Sequence, residues 1–293
     1  MKFVSYNIQY GTGKDGNVDL PRIASEIGEA DVIALQEVER FNSETGMTDQ
    51  VAELSALFPD HYFAYGPGLD LDASYRDDDG NLINRRRQFG NMILSRTPIL
   101  SSRNHLLPRF GLVEQLTLQR TMIEGVIDCD LGLVRIYSVH LGHSSVEERE
   151  GQIGYLMDVL RNAPDQGGAW SGNRAPAHWK TDGSGEPPMP RPAIFIGDFN
   201  LTPEFGEYEL LAGRWDHWYG RATPKNGLID AWISCGNQSD APDGITCPGN
   251  KGPMRIDYAF VSPDLAPTLK SMRVGLEAVG SDHQPIYVEM EAP

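Results

Sequence analysis

A carboxylate and an imidazole stand next to each other at Asp282 and His283, near the end of this 293-residue chain. Gly280 lies just before the pair and Pro285 just after it. Glycine permits unusual backbone angles, whereas proline cannot continue a helix or a central strand. The spacing therefore predicts a loop that presents both side chains to one site. An Asp-His pair in a loop is usually solvated surface, so its meaning depends on polar residues elsewhere in the chain.

Six further polar residues belong to the same argument: Asn7, Glu37, His140, Asp198, Asn200 and Asp257. Carboxylate and amide oxygens ligate hard cations, and imidazoles transfer protons near neutral pH. Together with the Asp-His pair, these side chains form a set that could hydrolyse a phosphoester on a divalent metal ion.

Asn7 and Glu37 each end an apolar run, Phe3–Tyr6 in the first case and Asp31–Gln36 in the second. A helix fits between these runs, because Asp19 can cap it. In open α/β sheets, ligands bind at the carboxyl ends of the strands. A glutamate there is costly to bury unless it is paired or bound to a cation, and an asparagine can ligate a metal or hold a phosphate oxygen. The alternative, a turn cap and a surface carboxylate, stays open.

Asp198 and Asn200 follow the buried strand predicted for Ala193–Ile196, after the flexible Gly197. Their spacing of two residues allows both side chains to point the same way. An aspartate there can orient a water molecule or ligate a metal, and the asparagine amide can hold a phosphoryl oxygen.

Asp257 alternates with apolar residues inside the predicted strand Arg255–Val261. Its side chain could face the imidazole of His283 and fix the tautomer, as partner carboxylates do; the alternative is a strand residue that faces solvent. His140 ends another predicted strand, Val134–His140, which places it at the same edge. The role of the nearby His143 is left undecided.

The remaining chain must supply the elements that position these residues. We expect a helix over 47–57 and strands at 61–65, 91–95, 114–128, 268–274 and 285–290. Ser145 and Glu148 form a capping box, after which apolar residues to Leu160 follow one helical face. β-α-β units mixed with antiparallel runs predict one α/β domain over residues 1–293, with two mixed sheets between helices.

Two polar segments have a structural and a functional interpretation. Asp77–Asn81 resembles a calcium loop, but Leu82 and Gln88 occupy the positions that would need glycine and glutamate, so a hairpin turn at Asp79-Gly80 is favoured. The segment at about 162–192 is dense in glycine and proline and predicts an inserted loop. With Trp170, His178, Trp179 and Lys180, it is either a lid over the substrate or a surface insertion.

Composition and charge narrow the class of protein. The hydrophobic content of 40% suits a globular fold, and 25 basic against 41 acidic residues give a net charge of −16. That charge opposes non-specific nucleic-acid binding, although Arg85–Arg87 could form a phosphate-facing loop, a solvated loop or a nuclear address. No run approaches the roughly 18 apolar residues of a membrane span. Three cysteines without a paired spacing and the lack of a signal peptide predict a cytoplasmic protein with reduced thiols. Cys235 and Cys247 could pair only if the protein were exported.

Seven segments spread over the chain carry a family resemblance. In order, they are Ser5–Gln9, Leu35–Val38, Gly90–Ser95, Ser138–Leu141, Gly197–Asn200, Arg255–Tyr258 and Gly280–Pro285. They resemble the signature blocks of the endonuclease/exonuclease/phosphatase superfamily, which includes deoxyribonucleases, abasic-site endonucleases, neutral sphingomyelinases and inositol polyphosphate phosphatases. The resemblance implies a four-layer α/β/β/α sandwich of two mixed β-sheets flanked by helices. It also implies Mg²⁺-dependent phosphoester cleavage, with Mn²⁺ as an alternative ion.

The resemblance further implies a role for each candidate residue. Glu37 would be the main metal ligand, with Asn7 and Asp282 as additional ones, and Asp198 would orient the attacking water. His283 would be the base, held by Asp257. Asn200 would bind the phosphate, together with His140 and Asn7, and His140 would also stabilise developing charge or protonate the leaving oxygen.

The resemblance specifies the reaction more closely than it specifies the substrate. Abasic-site endonucleases carry tyrosine where this chain has His140, so the resemblance favours the other branches. We expect a cytoplasmic phosphodiesterase or phosphatase for a small molecule or lipid headgroup, with no protein partner. The alternatives are a DNA or RNA nuclease, which the net charge disfavours, and a non-catalytic binding protein on the same fold.

Overall fold

A computed structural model describes residues 1–172, 174, 185–249 and 252–292. Its strands are β1 (Lys2–Asn7), β2 (Val32–Arg40), β3 (Tyr62–Asp72), β4 (Tyr75–Arg76), β5 (Leu82–Ile83), β6 (Arg86–Ser95), β7 (Ile99–Leu106), β8 (Thr121–Cys129), β9 (Gly132–His140), β10 (Ala193–Asp198), β11 (Arg214–Asp216), β12 (Gly220–Ala222), β13 (Ile229–Asp230), β14 (Asp257–Val261), β15 (Leu269–Val274) and β16 (Ile286–Met290). Its helices are α1 (Leu20–Ile27), α2 (Gln50–Leu57), α3 (Val146–Gln166), α4 (Gly206–Ala212) and α5 (Ala231–Ser234).

Two six-stranded mixed sheets form the centre of the fold. The first has the strand order β15-β16-β1-β2-β6-β3, and the second has the order β13-β14-β10-β9-β8-β7. Within the first sheet β1 and β2 are parallel, and within the second β9 and β10 are parallel; the other strand pairs are antiparallel. Each sheet therefore contains one parallel pair, whose carboxyl ends lie at the same edge.

The alternation of side chains along the strands divides the core into layers. Phe3, Val32 and Ala34 of the first sheet pack against strands of the second sheet. Their neighbours Val4 and Ile33 point the other way and pack with α1 and α2. On the far side, the second sheet packs against α3 and α4. The result is the predicted four-layer α/β/β/α sandwich.

Two helix starts follow the sequence signals. The Asp19 carboxylate accepts a hydrogen bond from Arg22 N (2.9 Å) and caps α1. Ser145 Oγ likewise accepts from Glu148 N (3.2 Å) at the start of α3. The other half of the predicted capping box is wrong, because Glu148 Oε2 instead accepts from Phe110 N (2.9 Å) and holds the loop before β8.

Several elements differ from the predictions. The strand expected from Glu114 begins at Thr121, residues 107–120 form a loop, and the helix expected from residue 47 begins at Gln50. Strand β7 is not predicted, because exposed and partly buried residues alternate along it at an edge of the sheet and no continuous apolar run marks it. Residues 66–89 are mostly paired in β3 and β6, with a small β4–β5 hairpin around the expected Asp79-Gly80 turn.

The predicted insertion at 162–192 begins later than expected, because α3 continues to Gln166 and ends at Gly167, whose φ is 79°. His178, Trp179 and Lys180, which the lid interpretation used, lie outside the described residues. Among the helices that are described, none is long and apolar enough to cross a membrane.

Candidate active site

The candidate residues meet at one edge of the sandwich. Asn7, His140 and Asp198 are the last residues of β1, β9 and β10. Asp257 is the first residue of β14 and lies opposite Asp198 in the antiparallel pair. The parallel strand pairs of both sheets end here, and the antiparallel neighbour of β10 begins here, so side chains distant in sequence become neighbours.

Glu37 reaches this edge through a break in its strand. The pairing of β2 with β6 shifts register between Leu35 and Val38, which leaves Glu37 in a β-bulge with φ of 60°. A positive φ is uncommon for residues with a side chain and often marks functional positions. The apolar run predicts Glu37 at the end of its strand, but β2 continues past it to Arg40. The bulge aims the carboxylate into the site, where it is 18% exposed.

Asp198 is the centre of the hydrogen-bond geometry, and its side chain is buried. Its Oδ2 accepts from Asn7 Nδ2 (3.0 Å) and lies 3.3 Å from His140 Nε2. The Nε2 atom of His283 lies 3.8 Å from the same oxygen. One carboxylate oxygen therefore faces two imidazoles and an amide, which come from both sheets and from the loop before β16.

Asp257 and His283 form a buried, hydrogen-bonded pair. The distance from His283 Nδ1 to Asp257 Oδ2 is 2.8 Å. Thr246 Oγ1 accepts from the backbone N–H groups of Ile256 (3.1 Å) and Asp257 (3.0 Å), which fixes the carboxylate side of the pair. The imidazole therefore has a defined orientation, with Nε2 directed toward Asp198.

The loop that carries Asp282 and His283 is anchored at several points. Glu26 accepts hydrogen bonds from Val279 N (2.7 Å) and Gly280 N (3.0 Å). A Cβ on Gly280 would lie 2.5 Å from Glu26 Oε2, so glycine is required for this close approach. Ser281 Oγ donates to Asn7 O (2.7 Å) and accepts from His283 N (3.1 Å). These bonds tie the loop to the end of β1.

Asn200 sits in the turn after β10 with a φ of 52°. Its backbone N–H donates to Asp198 Oδ1 (2.9 Å), and its side-chain amide donates to Leu141 O (3.1 Å). Asparagine tolerates the left-handed conformation better than most residues. The turn places its side chain on the wall of the same cavity as Asp198.

Electrostatics in the cluster favour unusual protonation states. Burial raises the pKa of Glu37 above its ordinary value, Arg120 opposes this rise, and the negative Asp282 adds to it. Burial also raises the pKa of Asp198 to about 7. For His283, burial acts to lower the pKa, but the carboxylates of Asp257 and Asp198 outweigh it and hold the pKa well above the ordinary value.

Two groups of residues could hold a metal ion. Ligand atoms of Asp198, Asp257 and His283 all lie within 4.8 Å of one another. In this group, however, the imidazole and the Asp257 carboxylate already bind each other through a hydrogen bond. The second group comprises Glu37 and Asp282, two carboxylates whose charges act on each other, and Asn7, whose side chain acts to lower the pKa of Glu37. This oxygen-rich set matches the chemistry of a hard divalent cation.

A cavity of about 500 Å³ lies over the cluster. Of the predicted site residues, those that line it are Glu37, His140, Asp198, Asn200, Asp282 and His283. Asn7 and Asp257 lie behind this lining and hydrogen-bond to Asp198 and His283, respectively. A larger cleft of about 710 Å³, which Lys14 and Arg255 line, contains none of the predicted site residues. All eight predicted residues are thus brought together around the smaller cavity.

One cation in this cavity, Arg120, is not predicted from the sequence, and the sequence does not decide the role of His143. Arg120 is only 5% exposed and contacts both His140 and His143. Its position directly before β8 gave no signal, because the predicted strand began at Glu114 and made Arg120 an interior strand residue. Glu39 and Glu44, at the other end of the cavity, were also not singled out.

Comparisons with known proteins show what the chain is similar to. Residues 4–283 match the model of the Endonuclease/Exonuclease/phosphatase family. No curated protein matches the chain in sequence. Among solved structures, an endonuclease/exonuclease/phosphatase from Beutenbergia cavernae DSM 12333 is similar with a TM-score of 0.66 and 22% identity, over 99% of this chain and 72% of that chain.

Two further structures indicate how varied proteins with this fold are. The mannosyl-6-phosphatase Bt3783 of Bacteroides thetaiotaomicron VPI-5482 has a TM-score of 0.63 and 20% identity, over 99% of each chain. D. rerio TDP2, complexed with single strand DNA product, has a TM-score of 0.57 and 17% identity, over 98% of this chain and 97% of that chain. At these identities the likeness establishes the fold alone.

Proposed function

This chain belongs to the endonuclease/exonuclease/phosphatase family, and from that premise we propose that it is a Mg²⁺-dependent phosphoester hydrolase that uses water as the nucleophile. One observation carries the proposal: the hydrogen-bonded pair of Asp257 and His283 points at Asp198 in the same cavity that Glu37 lines. A positioned imidazole, a water-binding carboxylate and an oxygen-rich cation site are the parts that metal-assisted hydrolysis requires.

Glu37, Asp282 and Asn7 would hold the metal ion. The fit rests on two carboxylates that share one cavity and on the raised pKa of Glu37, to which Asp282 contributes. A divalent cation bound there would neutralise phosphate charge and polarise the scissile ester. Mg²⁺ suits such hard oxygen ligands, and Mn²⁺ is the alternative.

Asp198 and His283 would handle the attacking water. Asp198 would hold the water and orient it toward the phosphorus. The water would give its proton to Asp198 or to His283, whose Nε2 atom lies 3.8 Å from Asp198 Oδ2, with Asp257 holding the imidazole in place. His140 and Asn200 would contact the phosphoryl oxygens, and His140 would stabilise the charge that develops on the leaving oxygen.

The substrate proposed is a small-molecule or lipid-headgroup phosphoester. The net charge of −16 opposes a long polyanion, and the cavity of about 500 Å³ is the size of a small-ligand site. A nuclease is the second candidate, because a structure of this fold carries a single strand DNA product. Cytoplasmic location stays part of the proposal and is supported by free thiols at Cys129, Cys235 and Cys247.

A panel of phosphoesters tests the proposal. Lipid headgroups, sugar phosphates, nucleotides, inositol phosphates, single- and double-stranded DNA and RNA are assayed with Mg²⁺, with Mn²⁺ and with EDTA. We expect turnover of at least one small phosphoester, loss of activity in EDTA and recovery with either metal. Hydrolysis that continues in EDTA would contradict the metal-dependent mechanism, and turnover of nucleic acid alone would select the second candidate.

A further inference from the structure

Arg120 lies between two histidines at the wall of the cavity. Its Nη1 atom is 3.2 Å from His140 Nδ1, and its Nη2 atom is 3.0 Å from His143 Nδ1. The guanidinium also lies over the ring of Phe89, with 5.8 Å from Cζ to the ring centroid. Arg120 is only 5% exposed. The two Nη atoms of one planar guanidinium therefore contact the Nδ1 atoms of two different imidazoles.

The chemistry of the guanidinium decides where the imidazole protons are. Arginine has five N–H donors, has no acceptor and stays protonated in proteins. A ring nitrogen that faces it can therefore only accept. Both Nδ1 atoms must carry a lone pair, so each ring carries its proton on Nε2.

We propose that Arg120 is a positioning residue that holds His140 and His143 as neutral imidazoles with the proton on Nε2. The catalytic consequence rests on the proposed function, whereas the tautomers follow from the contacts alone. In this state His140 Nε2 is a hydrogen-bond donor, and it lies 3.3 Å from Asp198 Oδ2. The same N–H is then available to a phosphoryl or leaving-group oxygen in the cavity.

The third histidine of the site is protonated on the other ring nitrogen. His283 Nδ1 faces the acceptor Asp257 at 2.8 Å and therefore carries a proton. Arginine and aspartate thus act as opposite templates on two rings whose Nε2 atoms face the same carboxylate oxygen. The surroundings agree, because burial and then the charge of Arg120 hold the pKa of His140 well below its ordinary value.

A lysine could not replace this arrangement. Its three N–H donors all sit on one nitrogen atom, whereas the two Nη atoms of Arg120 contact separate rings. Arg120→Lys therefore keeps the positive charge and removes the pair of Nη donors. Arg109, an exposed arginine of the loop before β8, provides a matched control in Arg109→Lys.

Nitrogen-15 NMR of labelled histidine in the metal-free protein tests the tautomers without any substrate. We expect His140 and His143 of the wild type and of Arg109→Lys to carry the proton on Nε2. In Arg120→Lys, at least one of the two rings should shift to a mixture of tautomers. A wild-type His140 protonated on Nδ1, or unchanged tautomers in Arg120→Lys, would overturn the inference.

Kinetics give the second readout. On the best substrate of the panel, Arg120→Lys should lower kcat by about 10- to 100-fold and change KM by less than about threefold, since the donor acts on the transition state. Arg109→Lys should retain wild-type kcat. An equal kcat for Arg120→Lys would reject the positioning role, whereas an inactive wild type with the expected tautomers would reject the proposed function and leave the tautomer assignment standing.

Discussion

Asp198 shows how much of the site depends on single atoms. Its Oδ2 atom faces Asn7, His140 and His283 within 3.8 Å. Each of these residues could be identified from the sequence, because Asn7 and His140 end apolar runs and His283 lies in a loop between Gly280 and Pro285. Their convergence on one oxygen could not, since it depends on how two sheets pack against each other.

Asp257→Asn tests the orientation of His283. The asparagine amide can present a donor where the carboxylate accepts, which would reverse the hydrogen bond and favour the wrong tautomer. We expect kcat to fall by about 10²- to 10⁴-fold while the circular dichroism spectrum and Tm stay close to wild type. A variant with an unaffected rate would leave His283 without its proposed partner.

Glu39 offers a prediction about stability and pH. This carboxyl is 2% exposed, and its pKa is raised from 4.5 to about 8 by burial and by the neighbouring Glu44. The folded state then holds a proton that the unfolded chain loses above about pH 4.5, so the free energy of unfolding falls as the pH rises from about 4.5 to about 8. The side chain in Glu39→Gln stays neutral, so the free energy of unfolding of this variant should fall less over the same pH range.

Thermal unfolding at about pH 5 and about pH 9 measures the effect. The wild type should lose more Tm between these two values than Glu39→Gln does. Parallel losses in both proteins would show that Glu39 is not the group responsible.

At the scale of strands and loops, the sequence predicts the elements that have clear local signals. It does not predict the features that depend on pairing with a neighbouring strand. The Asp19 cap and the apolar run before Gly197 are local features, and α1 and β10 form where they indicated. The bulge at Glu37 depends on the register of β6, which one strand cannot reveal. Arg120 was missed for a similar reason, because the start of β8 is set by its pairing with β7 and β9.

An ion pair between a buried glutamate and a partly buried arginine joins the strands of the second sheet. Arg103 of β7 makes two hydrogen bonds to Glu124 of β8 (2.8 and 2.9 Å), and Tyr137 Oη of β9 donates to the same carboxylate (2.7 Å). Burial acts to raise the pKa of Glu124. Hydrogen bonds, first from His105 and then from Arg103, outweigh burial and lower the pKa to about 2. This carboxylate therefore stabilises the fold above about pH 4.5, and its contribution is lost as the pH falls toward 2.

Glu124→Gln should lower the free energy of unfolding at pH 7 by about 1 to 3 kcal/mol, since it leaves the partly buried Arg103 without its counter-charge. At about pH 3.5 the difference from wild type should be smaller, because protonation of the unfolded chain removes part of the wild-type advantage. Urea unfolding at both pH values provides the measurement. A difference that is larger in acid would contradict the assignment of a lowered pKa.

At the scale of the whole molecule, buried polar residues join the two sheets beneath the site. Asn91 Nδ2 of β6 donates to Thr121 O and Ser138 O of the second sheet, both at 3.0 Å. Gln36 Nε2 donates to Ser138 Oγ (3.0 Å). These bonds hold the edges of the two sheets in alignment. The sequence does not show that these side chains point from one sheet toward the other.

We propose that residues 1–293 form one domain with an insertion after α3, because the core between the sheets draws on strands from both ends of the chain.

The net charge of −16 gives a prediction for the whole surface. A protein with a large negative net charge repels anionic substrates at low ionic strength, and salt screens that repulsion over a Debye length of about 10 Å at 0.1 M. For small phosphoesters, KM should therefore fall between about 20 and about 200 mM NaCl, and it should fall more steeply for a monoester dianion than for a diester monoanion. A KM that rises steeply with salt would instead indicate a polyanion-binding surface, as expected of a nuclease.

The most direct test of the central claim is the turnover of bis-p-nitrophenyl phosphate with Mg²⁺ by the wild type, Glu37→Gln and His283→Ala. Glu29→Gln and His217→Ala change exposed residues of the same types away from the cavity and are the matched controls. We predict that both site variants lose most of the activity, at least about 100-fold, and that the controls retain it, with all five proteins equally folded by circular dichroism. Near-normal turnover by Glu37→Gln or His283→Ala would contradict the claim that this edge of the sandwich is the active site.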